Sequence, residues 1–195
     1  MTKLIAAIFT LGWLGFLLWH CRGLRLNARA LSYGAIAAAM TLLLACIYLP
    51  LPTGASISLG SWLPLMVLSI CYDHRLAMVS GLLCGMLAPF ILPGWSLVHW
   101  VQYFLEYMTI FSCMGCAGLF GKTRKKIFLG ALLAISLRFW AQVISGVIFF
   151  GQYSWGFSLL YHLSGKVPEG IITMLILLAL PLDRLQKFAK EGSHR

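Results

Sequence analysis

The stretch Trp100–Phe120, WVQYFLEYMTIFSCMGCAGLF, constrains this chain more than any other. It is long and apolar enough to cross a bilayer, which takes about 20 residues at 1.5 Å rise each. Yet it carries Glu106 near its middle. At helical spacing His99, Gln102, Glu106, Thr109 and Cys113 fall on one stripe, which leaves Phe104, Leu105, Met108 and Phe111 for other faces. A one-sided polar stripe in an apolar span faces a protein-lined cavity rather than lipid. An ionisable group at that depth is costly unless it has a partner, so it marks a functional site, and a carboxylate calls for something cationic.

Composition gives the setting. The 195 residues are 61% hydrophobic and only 10% charged, with mean hydropathy +0.89, where soluble domains carry about a quarter charged residues. This is the signature of a polytopic membrane protein. The net charge of +10 is not spread evenly. Arg22/Arg25/Arg29, Arg75, Lys122/Arg124/Lys125/Lys126 and Arg184/Lys187/Lys190/Arg195 lie between or after apolar spans, as the positive-inside rule predicts for cytoplasmic segments. The basic balance therefore reports topology, and no nucleic-acid motif accompanies it. The six cysteines lie in apolar surroundings. Cys113-x-x-Cys116 has metal-ligand spacing but no second ligand pair, and reads as packing.

Taken in order, Leu4–Trp19 is an apolar run followed by a basic segment, Cys21–Arg29. A signal peptide is the alternative, but no small-x-small cleavage site precedes the basic stretch, so a retained helix with its N-terminus outside is expected. Ala30–Tyr48 is a second span with two small-xxx-small pairs, Gly34/Ala38 and Ala35/Ala39, suited to close helix approach either within the protein or to a partner. Pro50–Ser61 reads as a turn-rich outer loop. Trp62–Tyr72 is a short span containing Pro64, for which Ile57 and Leu59 are expected to help line the outer side. Asp73-His74-Arg75 is an inner turn, and Leu76–Leu92 returns outward with Gly81-xxx-Gly85 on one side, ending at Pro93-Gly94.

After Trp100–Phe120, Ile127–Phe150 runs outward with Arg138, Gln142 and Ser145 at i, i+4, i+7 and Phe149 one turn on. Gln142 lies eight residues from the outer end at Phe150 and Glu106 seven from His99, so the two sit at similar depth. Arg138 is about 6 Å further in and is a possible partner for Glu106. Gly151–Lys166 reads as an outer connection rich in aromatics, Pro168 as the first turn of the last helix with Glu169 at its positive end, and Gly170–Leu182 as the final crossing. The mid-depth carboxylate, the facing Gln142 and the aromatics Tyr107, Trp140, Phe149, Phe150, Tyr153, Trp155 and Tyr161 suit a pocket for a flat cationic organic molecule; a plain aromatic belt is the alternative. An intramembrane enzyme would need a motif that is missing: there is no HExxH, GxSxG, paired-aspartate or nucleotide-binding loop.

Several ordered motifs then carry a family resemblance. Gly54–Leu87, Val101–Lys122, Arg138–Gly156 and Phe157–Thr173 resemble, in order and spacing, the thiamine-specific substrate-binding subunits (S components) of energy-coupling factor transporters. The resemblance implies an all-α membrane protein of the bacterial cytoplasmic membrane with a six-helix bundle over residues 30–185; the apolar run and basic linker at 1–29, outside the family core, read as an extra transmembrane helix before it, and 186–195 as a cytoplasmic tail. It implies an outward-facing vitamin pocket, a transmembrane coupling subunit and two ATPase subunits as partners, and no cofactor, metal or catalytic residue in this chain. Glu106 and Tyr107 match the acid and tyrosine that hold the thiazolium end of thiamine, and Gly34/Ala38 or Ala35/Ala39 match the docking face. The family's RYxxH reads here Arg138-Phe139-Trp140-Ala141-Gln142, its IFWG reads Ile148-Phe149-Phe150-Gly151, and its YSLxYN reads Phe157-Ser158-Leu159-Leu160-Tyr161-His162. These changes remove groups that recognise the aminopyrimidine. The implied site is Glu106, Tyr107, Gln142, Phe150, Tyr161, His162 and Arg138. Two other classes stay open: a solitary ion-coupled carrier with Glu106 as its proton site, and a structural subunit in which Arg138 and Glu106 form a locked salt bridge.

Overall fold

The computed structural model describes residues 2–24, 26–92, 97–150 and 154–191. Arg25, the Pro93-Gly94 turn, Gly151, Tyr153 and Arg195 lie outside the described residues. Of the described residues, 79% are helical. In order come α1 (Thr2–His20), α2 (Ala28–Cys46), strands β1 (Tyr48–Pro50) and β2 (Ser56–Ser58), α3 (Leu63–Cys71), α4 (His74–Ile91), the interrupted run α5 (Trp100–Gln102) to α6 (Ile110–Ser112), then α7 (Arg124–Phe149), α8 (Trp155–Ala179) and α9 (Leu182–Glu191). Four of these, α2, α4, α7 and α8, are long and apolar enough to cross a bilayer, with α1 a shorter apolar helix. Only helices satisfy their own backbone groups in lipid, which is why apolar runs of this length resolve as helices.

The ends of these helices are written locally. Asn27 caps α2 by accepting from the Ala30 amide at 2.7 Å, and Asp73 caps α4 by accepting from the Arg75 and Leu76 amides. Pro64 sits in the first turn of α3, where its missing N–H costs nothing. Between α2 and α3, the stretch expected as a loop forms an antiparallel hairpin, Tyr48 opposite Ser58 and Pro50 opposite Ser56. Gly54 turns it with φ +81°. Ile57 is half-buried there, whereas Leu59 is largely exposed.

Two expectations need correction. Trp100–Phe120 is not one regular helix: between α5 and α6 runs a π-helix, Tyr103–Thr109, and beyond α6 a 3₁₀ turn, Cys113–Gly118. The Thr109 hydroxyl donates to the Phe104 carbonyl, five residues back, at 2.9 Å. Tertiary contact presses on this run along its length. A methyl group at Gly85 would meet the Tyr107 carbonyl and Met108 Cα, and one at Gly81 would meet the Phe111 carbonyl, so α4 lies directly on its backbone. The second correction concerns the last crossing. Of the expected connection Gly151–Lys166, residues 155–166 are helix instead, and Pro168 does not begin a helix: α8 starts at Trp155, with Ser154 accepting from the Phe157 amide, and Pro168 lies inside it. Glu169 is accordingly deep in a helix, 1% exposed, rather than at a helix start.

The two small-residue pairs of α2 separate. Gly34 is buried, where a methyl would press on Ser80 and Leu76 of α4, and the Ala38 carbonyl accepts from Cys84 Sγ. Ala35 and Ala39 are exposed. The first helix shares the bundle's core: Ala6 and Leu17 are buried, and Trp13 Nε1 donates to Ser112 Oγ at 2.7 Å. At its far end His20 Nε2 lies 2.9 Å from His74 Nε2.

Candidate functional site

A cavity of about 380 Å³ opens between the β1–β2 hairpin, the π-helix, α7 and α8. That falls in the range of about 300–1,000 Å³ usual for small-molecule sites. All seven residues singled out from the sequence, Glu106, Tyr107, Arg138, Gln142, Phe150, Tyr161 and His162, line it. The wider set of aromatics divides. Trp140 and Trp155 are about half exposed on the outer surface, and Phe149 stacks on His99 instead.

Glu106 is the most constrained member. Its Oε2 accepts from Gln102 Nε2 at 2.9 Å and from Ser145 Oγ at 2.8 Å. Gln102 is oriented in turn, because its Oε1 accepts from the Val98 and His99 amides while His99 Nδ1 accepts from the Val101 amide. A reciprocal cap at the start of α5 therefore aims the amide nitrogen at the carboxylate. Neutral donors hold Glu106; among the described residues no cation reaches it within ion-pair distance.

Arg138, the expected partner, is engaged elsewhere. Its Nη1 donates to the Ile110 carbonyl at 3.3 Å, and its guanidinium lies 4.5 Å from the Trp62 ring centre and 5.5 Å from that of Phe111. The pairing of Arg138 with Glu106 is thus absent, and the buried guanidinium is held by a carbonyl and two aromatic faces.

Along α8, Ser158, His162, Gly165 and Glu169 recur at steps of four, three and four and form its buried face toward the cavity. Lys166 Nζ pairs with Glu169 Oε2 at 3.0 Å and also donates to the Ser56 carbonyl, and Ser58 Oγ donates to Glu169 Oε1. Two further bonds join hairpin to helix, Tyr161 to the Gly54 carbonyl and Thr53 to Ser164, each at 3.0 Å. The sequence reading missed Lys166 and Glu169 as lining residues. Their signal was present as the same periodicity, hidden once Pro168 was taken as a helix start.

Among the described residues, three buried atoms of the cavity wall have no hydrogen-bond partner: Gln142 Oε1, an acceptor, His162 Nδ1, which accepts when the ring proton is on Nε2, and Arg138 Nε. Gly146 leaves room beside His162: a methyl there would stand 3.3 Å from its Nε2. A polar occupant of the cavity would satisfy these three atoms.

The sequence model of a family described as thiamine transporter protein (Thia_YuaJ) matches residues 31–189. The chain belongs to this thiamine transporter family. Thiamine transporter ThiT of Bacillus subtilis is 30% identical over 152 residues, covering 68% of this chain and 78% of that protein. Membership of a transporter family, together with the long apolar helices, makes the chain an integral membrane protein, and the family is one of transporters rather than of enzymes. In this thiamine transporter family member, the matched region takes in every cavity-lining residue named above and leaves α1 outside.

Proposed function

We propose that the chain is the substrate-binding subunit of an uptake system for thiamine or a closely related cationic aromatic vitamin or precursor, and that the vitamin occupies the cavity beneath the β1–β2 hairpin. The observation that carries this reading is Glu106: a carboxylate facing a cavity, held by two neutral donors and short of a counter-charge. A thiazolium supplies that charge in surroundings where water is scarce, which strengthens the attraction. Tyr107 and Phe150 offer ring faces to a flat heterocycle. Gln142 Oε1 and His162 Nδ1 are acceptors suited to the exocyclic amine of a pyrimidine, with Tyr161 closing the outer side and Arg138 the inner.

The chain carries no nucleotide-binding loop, so in this reading energy comes from a transmembrane coupling subunit and two ATPases of the energy-coupling factor type, in the cytoplasmic membrane of a bacterium. The exposed Ala35/Ala39 stripe is the face offered to the coupling subunit, since the buried Gly34 is already used against α4.

Calorimetry or tryptophan quenching with thiamine tests the site. Glu106→Gln keeps the shape and removes the charge, and is expected to weaken thiamine by at least about tenfold. Unchanged binding in that variant removes the carboxylate from the mechanism. Silence of the native protein toward thiamine, its phosphates and its two halves removes the binding subunit itself.

A further inference from the structure

A second cavity, of about 390 Å³, lies at the opposite end of the bundle. Helix α2 shows the separation: Ala45 near its end lines the first cavity and Ala30 near its start lines the second. The walls come from the α1–α2 linker (Gly23, Leu24), the α3–α4 turn (Tyr72, Asp73, Arg75), Lys122 and Ala189 of α9. This is the end where the basic residues collect, which the positive-inside rule assigns to the cytoplasmic surface.

Its charges are unbalanced. Asp73 is the only acid in the wall, and its Oδ1 is committed to the start of α4 through the Arg75 and Leu76 amides. Among the described residues neither Arg75 nor Lys122 has an ion-pair partner. Exposed Arg22, Arg124, Arg184 and Lys187 lie on neighbouring parts of the same elements and add to the positive field. Of the remaining wall, Leu24, Ala30, Leu76 and Ala189 are apolar, and Gly23, Cys71 and Tyr72 complete it. Leu26 and Leu31, close in sequence to the lining residues Leu24 and Ala30, are exposed. Two cations from separate segments beside apolar side chains, at the cytoplasmic end of a membrane protein, match a phosphate that carries hydrocarbon better than one that is free in water.

We propose that this cavity binds the headgroup of an anionic phospholipid, with Arg75 and Lys122 on its phosphate and Leu24 and Leu76 against its glycerol and first methylenes. The site is separate from the vitamin cavity and does not depend on what that cavity holds.

Native mass spectrometry of the full chain in neutral detergent, titrated with phosphatidylglycerol and with phosphatidylcholine, reads the site directly. Phosphatidylglycerol is expected to be retained in preference to phosphatidylcholine. Arg75→Gln and Lys122→Gln are each expected to weaken it about fivefold, and Arg75→Lys to restore most of the loss. Lys122 is exposed on a loop, so its variant reports even where Arg75→Gln folds poorly, and thermal unfolding in detergent checks that each variant is intact. Equal retention of both lipids overturns the proposal, as does undiminished phosphatidylglycerol binding in the double variant. Displacement of phosphatidylglycerol by millimolar inorganic phosphate, with the phosphate itself retained, assigns the site to a soluble anion and overturns the lipid assignment.

Discussion

Gln102 decides how Glu106 is presented. By giving its carbonyl to two backbone amides and its nitrogen to the acid, it fixes the acid without neutralising it. The pair stood out in the sequence because polar side chains are rare in an apolar span, and their spacing of four survives the change of helix type. Gln142 stood out for the same reason, whereas His162 was marked only by the family resemblance, and both end at the cavity with an atom that has no partner among the described residues. Replacing either by Ala is expected to weaken thiamine about fivefold while leaving affinity for the isolated thiazolium half nearly unchanged, because the lost hydrogen bond belongs to the other ring. Calorimetry with the two halves separates these effects. Equal loss toward both halves counts against the assignment of these side chains to the pyrimidine.

At the level of elements, two features were illegible in the sequence, for different physical reasons. The π-helix at Tyr103–Thr109 arises where the run is seated against α4, and no local signal in YFLEYMT announces a contact made by Gly81 and Gly85 some twenty residues earlier. Gly85→Ala is expected to lower stability by about 1–3 kcal/mol, because the added methyl meets backbone that has nowhere to go. It is also expected to weaken thiamine, although Gly85 does not line the cavity. Gly12→Ala on α1, with open space around it, serves as the control and should be neutral or slightly stabilising. Thermal unfolding in detergent reads both.

Pro168 misled for the opposite reason. A proline marks the first turn of a helix when nothing else is known, yet here the Ser154 cap and the periodic cavity face carry α8 through it. What that helix places in the interior is the Lys166–Glu169 pair. Lys166→Met removes the ion pair of the buried Glu169, leaving it the Ser58 hydroxyl and the more distant Arg138 guanidinium, and is expected to cost about 3 kcal/mol, and the double change Lys166→Met with Glu169→Met to recover much of it. A single variant as stable as the native protein would show that the pair is not coupled.

For the whole molecule, the succession of apolar runs and basic clusters was enough to indicate a helical membrane protein, while the role of the first helix was not. Trp13 reaches Ser112 and is nearly buried, so α1 is a packed part of the bundle although the family match begins only after it. Trp13→Ala is expected to destabilise by roughly 2 kcal/mol, less than in a water-soluble core because lipid replaces part of the lost contact. Ala35→Leu with Ala39→Leu is expected to leave thiamine binding intact and to abolish copurification with the coupling subunit. Persistence of that complex would move the docking face elsewhere.

The glycines that let α3, α4 and α7 rest directly on the run from Tyr107 to Gly118 also immobilise the wall that carries the acid. Side chains can swing aside, but main chain wedged against main chain cannot. With the vitamin in this cavity as proposed, admission and release would fall to the opposite wall, the small hairpin and the first turns of α8, which are tied together by a handful of polar links. The charge stays where it is, and the doorway does the travelling.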